Sequence, residues 1–259
     1  MEMQIKKAIK AGNSSAVVLP RAWLNKEVRI ELVEKTPDII LADVLEILKD
    51  KVETECIIGI YLVGSYARNE NDAGSDIDVL VVTDDVDLKE IHEGIYNIIV
   101  ASKELIAQKL KKDLLPIGQM IKEAVPLLNS AYLESIDVKV TKANVKWHLD
   151  STKEKIKLVK EVLKKTKKEE IDARVGYTLV LRIRTLEIIK ALKKGGVYTK
   201  KELVGLIRKI TKGDLAYESY LRVKNGEEQE RVIRGRNEGI KRRDVELLLR
   251  YLEKRVGKV

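Results

Sequence analysis

A chain of 259 residues that is 44% hydrophobic and 35% charged has enough apolar side chain for more than one small core and enough charge to coat it, which excludes a disordered segment. No apolar run approaches the roughly 20 residues a membrane helix needs, and the opening Met1-Glu2-Met3-Gln4-Ile5-Lys6-Lys7 has no apolar stretch of the signal-peptide kind. A cytoplasmic protein without membrane contact is expected, with a formal net charge of +9.

The first elements are short. Residues 4–9 and 15–19 read as strands joined by a turn at Gly12-Asn13, Pro20 stops the second, and the strict alternation of Glu27 to Glu34 predicts a third. Such a unit is too small to bury a core alone, so it must pair with a second copy or pack on the rest of the chain. Thr36-Pro37-Asp38 is a linker, and Asp38 is placed to cap a helix running to about Lys51. Strands are expected over Ile57 to Val63, Asp76 to Thr83 and Tyr96 to Ala101, with helices over 102–111 and 114–133, an alternation that indicates an α/β layer. From Asn144 the strand signals nearly vanish, and 149–166, 168–194, 199–210, 214–224 and 237–255 read as helices. The expected organisation is an α+β multidomain chain: a small β unit over 1–36, a mixed-sheet α/β unit over 37–143 and a basic all-α unit over 144–259.

Charge follows this division. Residues 1–150 hold 19 basic and 25 acidic side chains, a net of −6, and residues 151–259 hold 31 against 16, a net of +15. Residues 1–35 alone carry 7 against 4, so the middle of the chain is acidic between two basic ends. This fits a metal-binding catalytic unit between surfaces that could meet polyanions, while the Lys-rich run from residue 151 reads as a solvated helix face. Phe is absent, and Lys, Glu, Ile, Leu and Val dominate, the balance of a thermophile protein. The single cysteine, Cys56, excludes an internal disulfide and a cysteine-rich zinc site, and reads as strand packing.

The informative segment is Leu62-Val-Gly64-Ser65-Tyr-Ala-Arg68 followed, with ten residues between Ser65 and the pair, by Asp76-Ile-Asp78-Val-Leu-Val-Val82. Side chains two apart on a strand share a face, so Asp76 and Asp78 set two carboxylates side by side while Ile77 turns to the core. Adjacent carboxylates repel unless a cation lies between them, and hard oxygen donors suit Mg²⁺ or Mn²⁺. Upstream, a buried strand ends in Gly64-Ser65 where a helix would begin, which turns unpaired backbone N–H groups toward an anion. A phosphate cradle beside a metal clamp is the equipment of phosphoryl or nucleotidyl transfer, and the absence of a Gly-x-x-x-x-Gly-Lys-Ser/Thr loop excludes an ordinary P-loop enzyme.

This segment resembles the DNA polymerase beta-like nucleotidyltransferase superfamily, closest to its minimal and kanamycin nucleotidyltransferase-like members, over roughly residues 40–135. The resemblance implies that Gly64, Ser65, Arg68 and Ser75 serve the nucleotide and that Asp76 and Asp78 hold Mg²⁺ or Mn²⁺. It also implies a third acid on the next strand, where this chain has Asn97; Glu93 is the nearby substitute and Asp137 a more remote one. The activity it implies is transfer of a nucleoside monophosphate from a nucleoside triphosphate to an acceptor hydroxyl, with an RNA or a protein as the candidate acceptors.

The run Lys7-Ala-Ile-Lys10-Ala-Gly12-Asn13-Ser14-Ser-Ala16-Val17-Val-Leu19-Pro20-Arg21 resembles the AbrB/MazE-type swapped-hairpin DNA-binding family. That resemblance implies a homodimer contacting DNA through Lys7, Lys10, Asn13 and Arg21, although Asn25-Lys26-Glu27 replaces the family's usual Gly-Asp. The alternative function is therefore a DNA-binding regulator or antitoxin-like protein whose transferase fold binds nucleotide without reacting. The C-terminal helices are expected to form a substrate-binding bundle or an HEPN-like partner domain. Neither His92 nor His148 follows an Arg at the spacing an HEPN ribonuclease needs, and both read as structural or surface groups.

Overall fold

The structure is a computed structural model and describes residues 4, 6, 8–30, 35–72, 74–226 and 239–257. The chain divides into two compact units, Met1–Ala107 with Glu123–Asp137, and Gln108–Lys122 with Val138–Val259. It is a mixed α/β protein with a five-stranded mixed sheet and a C-terminal helical region.

In the first unit, β1 (Ile9–Ala11) and β2 (Ser14–Ala16) form an antiparallel hairpin. Its turn needs Gly12, which sits at φ +62°. The alternating run expected as a third strand is not one over residues 27–30, and residues 31–34 lie outside the described residues. A lone three-residue hairpin offers too little ladder to recruit it.

Helix α1 (Pro37–Leu48) is capped by Thr36, whose hydroxyl accepts from the Ile39 N–H at 3.4 Å. Asp38, expected as the cap, instead sits in the first turn, where its charge suits the helix dipole. Cys56 lies in a turn just ahead of β3 (Ile57–Val63); burial, then the nearby Asp85 and Glu53, push its thiol up, which fits a packing role. Next come α2 (Gly64–Ala67), β4 (Ile77–Thr83), β5 (Ile91–Glu93) and β6 (Tyr96–Ser102). Helix α3 (Lys103–Lys112) follows.

The helix expected over 114–133 is broken into α4 (Ile117–Glu123), β7 (Val125–Leu128) and α5 (Ser130–Ser135). Pro126 cannot continue a helix and is tolerated on an edge strand, and β7 occupies an edge of the sheet, whose order is β5-β6-β4-β3-β7. Among the described strands only β4 and β6 run parallel. One face of the sheet buries Ile60, Leu62, Ile77, Val79, Val81, Tyr96, Ile98 and Val100 against Ile40, Val44 and Leu48 of α1. On that face the Tyr96 hydroxyl donates to Asp43, which also pairs with Lys35 at 2.7 Å. Period-2 alternation then forces Asp78 and Asn97 onto the opposite face.

The second unit contains α6 (Lys142–Lys165), α7 (Ala173–Lys193), α8 (Lys200–Thr211), α9 (Leu215–Lys224) and α10 (Arg242–Val256), with β8 (Glu170–Ile171) paired to β9 (Ile240–Lys241). Its core is built by Ile156, Val159, Leu163, Leu179, Ile183, Leu186, Leu203, Ile207, Val245, Leu248 and Leu252. Helix α6 shows why the Lys run is a solvated face: Thr152, Ile156, Val159 and Leu163 are buried, while Lys153, Lys157, Lys160 and Lys164 are exposed. His148 is buried, its Nε2 2.7 Å from an Asp113 carboxylate oxygen, a structural pair as expected. No described helix is long and apolar enough to cross a membrane.

Candidate active site

Antiparallel pairing of β3 with β4 brings the end of one strand to the start of the other, and Val63 lies opposite Asp78. Parallel pairing of β4 with β6 sets Asn97 opposite Asp78 on the other side. The Gly-Ser turn, the Asp-x-Asp pair and Asn97, separate in sequence, thus converge at one corner of the sheet.

Gly64 is required there twice over. Its φ is +71°, and a Cβ on it would stand 2.1 Å from the Asp78 Oδ2. Asp78 is half-buried and its carboxyl is pushed up, chiefly by desolvation and then by the charges of Asp76 and Glu123, against the lowering effect of the Asn97 amide. The Asn97 Nδ2 donates to Asp78 Oδ1 at 3.3 Å. Asp76 directly precedes β4 and is exposed.

Asn97 therefore occupies the place opposite Asp78 where a third acid was expected. Its amide oxygen accepts from His92 Nδ1 at 2.7 Å across the β5–β6 ladder, where His92 and Asn97 are paired. His92, read from the sequence as a solitary group, is thus joined to this corner, because β5 escaped the sequence pattern. Glu93 is not brought in: it stands opposite Tyr96, on the α1 face, and lies 3.6 Å from Lys51.

Arg68 is held by two acids: its Nε donates to Glu70 at 2.8 Å and its Nη1 to Glu123 Oε2 at 2.7 Å. The other oxygen of Glu123 accepts from the Gly64 N–H at 2.8 Å, and only 5% of the Glu123 side chain is exposed. Sequence reasoning missed Glu123, since it lay inside the stretch read as one helix. Its position follows from β7, which starts two residues later and pairs Val125 with Leu62, next to the end of β3. Ser75 is used within its own loop, accepting from the Asp72 N–H at 2.9 Å and donating to Asp72 Oδ1 at 3.0 Å. Ser65 is half-buried at the start of α2.

Asp76 and Asp78 offer carboxylate oxygens of the kind a hard divalent cation takes, and Asp78 is desolvated, the charge of Arg68 only partly offsetting the acids around it. Among the described residues no group of three or more His, Cys, Asp or Glu that could hold a metal ion is found.

Of the residues expected to meet DNA, Asn13 is exposed at the hairpin tip and Arg21 is exposed just after Pro20. Lys7 and the side chain of Lys10 lie outside the described residues.

A glycine-bound turn against an acidic strand pair at the corner of a mixed sheet is the arrangement of a nucleotidyltransferase. The nucleotidyltransferase domain family matches residues 41–240, and the chain belongs to that family. Among solved structures, a nucleotidyltransferase-like protein from Exiguobacterium sibiricum is similar at 12% identity, covering 85% of this chain and 75% of that one with a TM-score of 0.38. A spectinomycin adenyltransferase from Enterococcus faecialis, solved with ATP and spectinomycin, is similar at 15% identity over 84% of this chain and 98% of that one, with a TM-score of 0.44. No curated protein matches the chain.

Proposed function

We propose that this chain transfers a nucleoside monophosphate from a nucleoside triphosphate to an acceptor hydroxyl in a Mg²⁺- or Mn²⁺-dependent reaction at the corner formed by Gly64, Ser65, Asp76 and Asp78. The observation that supports it best is the convergence of Gly64 and Asp78, with no room for a side chain between the phosphate-facing turn and the carboxylate. The family match over residues 41–240 supports the same class of reaction. In this reading 37–143 is the transferase, 144–259 a helical unit serving the acceptor, and 1–36 a separate module.

In the proposed reaction the acceptor oxygen bonds to the α-phosphorus, the bond from that phosphorus to the bridging oxygen breaks, and pyrophosphate leaves with its electron pair. Asp76 and Asp78 would hold the divalent cation, which when bound neutralises triphosphate oxygens and the charge that develops on them. The Gly64 and Ser65 backbone would orient the phosphates, and Arg68 lies in reach of the same turn. Asn97 holds Asp78 in place but cannot take the acceptor's proton, so that proton leaves by another base or by solvent.

Calorimetric titration of the full chain with each of the four nucleoside triphosphates tests the reading. Binding should tighten markedly with Mg²⁺, and pyrophosphate should appear once an acceptor is supplied. Equal affinity with and without Mg²⁺ would overturn it.

A second reading concerns the hairpin module. Ile9, Val18, Leu24, Val28 and Ile30, five large apolar side chains within one short module, are between 41% and 72% exposed. This exposure supports pairing with the module of a second copy, giving a homodimer whose Asn13 and Arg21 meet DNA. Removal of residues 1–36 should then abolish both the dimer, by sedimentation, and any sequence preference, leaving only salt-sensitive affinity from the basic helical half. A truncated chain that remains dimeric would sink this second reading.

A further inference from the structure

Glu123 is buried against the very donors that a nucleotide phosphate would need. One of its oxygens takes the Gly64 N–H at 2.8 Å and the other takes the Arg68 guanidinium at 2.7 Å, so a carboxylate already spans the turn's backbone donor and the neighbouring cation. The two oxygens of a carboxylate and two oxygens of a phosphate accept hydrogen bonds with similar geometry. The fit is enforced by the fold, since β7 is anchored on β3 by the pairing of Val125 with Leu62 and carries Glu123 to the end of that strand.

We infer that Glu123 holds the place of a nucleotide phosphate, and that a triphosphate binds by exchanging with the Glu123 carboxylate on the Gly64 N–H and Arg68. The inference rests on the nucleotidyltransferase reading of this corner and assigns it a gate. Affinity for the triphosphate is then reduced by the fraction of molecules in which Glu123 has swung away. The exchange also selects for polyanions: a ligand must offer enough negative charge to outcompete a carboxylate that is attached to the chain, which a triphosphate does and a nucleoside does not.

The test is titration of the full chain, in Mg²⁺, with the four nucleoside triphosphates and with inorganic tripolyphosphate, comparing wild type with Glu123→Gln and Glu123→Ala. Glutamine keeps the shape and an acceptor for the Gly64 N–H but loses the charge that holds Arg68. Both variants should bind at least tenfold tighter than wild type, which corresponds to about 1.4 kcal/mol. Unchanged or weaker binding by folded Glu123→Gln, while wild type binds, overturns the exchange and leaves the transferase reading standing. No binding by wild type or variants overturns the transferase reading, and the exchange with it. A second measurement needs no variant: in wild-type protein labelled at glycine nitrogen, the Gly64 amide signal should move as tripolyphosphate saturates. A Gly64 signal that stays fixed through saturation overturns the exchange.

Discussion

Glu187 and Arg242 of the helical unit and Asp78 of the sheet unit are treated in opposite ways. The first two are given fixed partners. Glu187, 9% exposed, accepts from the Tyr251 hydroxyl at 2.7 Å and from Lys190 at 2.9 Å, with Arg255 at 3.8 Å. Burial and then the Glu187 bond push the Tyr251 phenol up to about 12, so it remains a donor. Arg242 donates to the carbonyls of Leu163 at 2.9 Å and Thr166 at 2.6 Å, closing the end of α6. In the sheet unit Asp78 is desolvated, with one amide at 3.3 Å, the Arg68 charge and two neighbouring acids about it, and its carboxyl is pushed up, chiefly by burial. Charges that are balanced hold a fold together, whereas a desolvated carboxylate among other acids carries a cost that a bound cation would relieve.

This contrast breaks first at the acidic pair. Replacing both Asp76 and Asp78 by Ala should abolish the Mg²⁺ dependence of nucleotide binding and lower transfer by at least about a hundredfold; calorimetry and pyrophosphate release read the two effects. Restoring an acid opposite Asp78 with Asn97→Asp should act the other way, raising transfer by up to roughly a hundredfold, the lower end of what a placed base contributes. Glu93→Ala should leave the rate unchanged, since Glu93 stands on the α1 face; a loss there would relocate the third acid.

At Gly64 the cost falls on the fold as well. Gly64→Ala forces a side chain into the left-handed region and against Asp78, and should cost about 1–3 kcal/mol in urea unfolding as well as nucleotide affinity. The helical unit should behave differently. Arg242→Ala strips two carbonyls of their partner and should cost about 1–2 kcal/mol, while Mg²⁺-dependent nucleotide binding stays as in wild type. Equal loss of binding in Arg242→Ala would erase the distinction between the units.

The smallest effect is a pH slope. A carboxyl raised in the folded state from its ordinary 3.8 binds more protons folded than unfolded, so its stabilising contribution is complete below that value and is lost as pH rises through the folded-state one. Metal-free thermal melts should therefore fall with rising pH across that window, less so in Asp78→Asn, and Mg²⁺ should recover the wild type at neutral pH. A wild-type slope identical to that of Asp78→Asn would show that Asp78 is not the strained group.

Local pattern carried much of this protein. The β-branched runs of Ile57–Val63 and Ile77–Thr83, the Gly-Ser turn and the Asp-x-Asp spacing are short-range signals, and period-2 alternation was enough to put Asp76 and Asp78 on the face opposite Ile77. The amphipathic Lys run of α6 was legible for the same reason. Partners that meet only across strands were not. A three-residue strand such as β5 has no periodicity of its own, so His92 could not be seen beside Asn97. Strand β7 is specified by the edge of the sheet it completes, not by its own Val-Pro-Leu-Leu, so Glu123 was hidden in an apparent helix. Composition and spacing determined that a Gly-Ser turn and a carboxylate pair exist on this chain. Only the tertiary pairing, Val63 and Asn97 on either side of Asp78 and Val125 on Leu62, decided which side chains complete them, because hydrogen-bonded register between distant strands is set by how the whole sheet buries its apolar face.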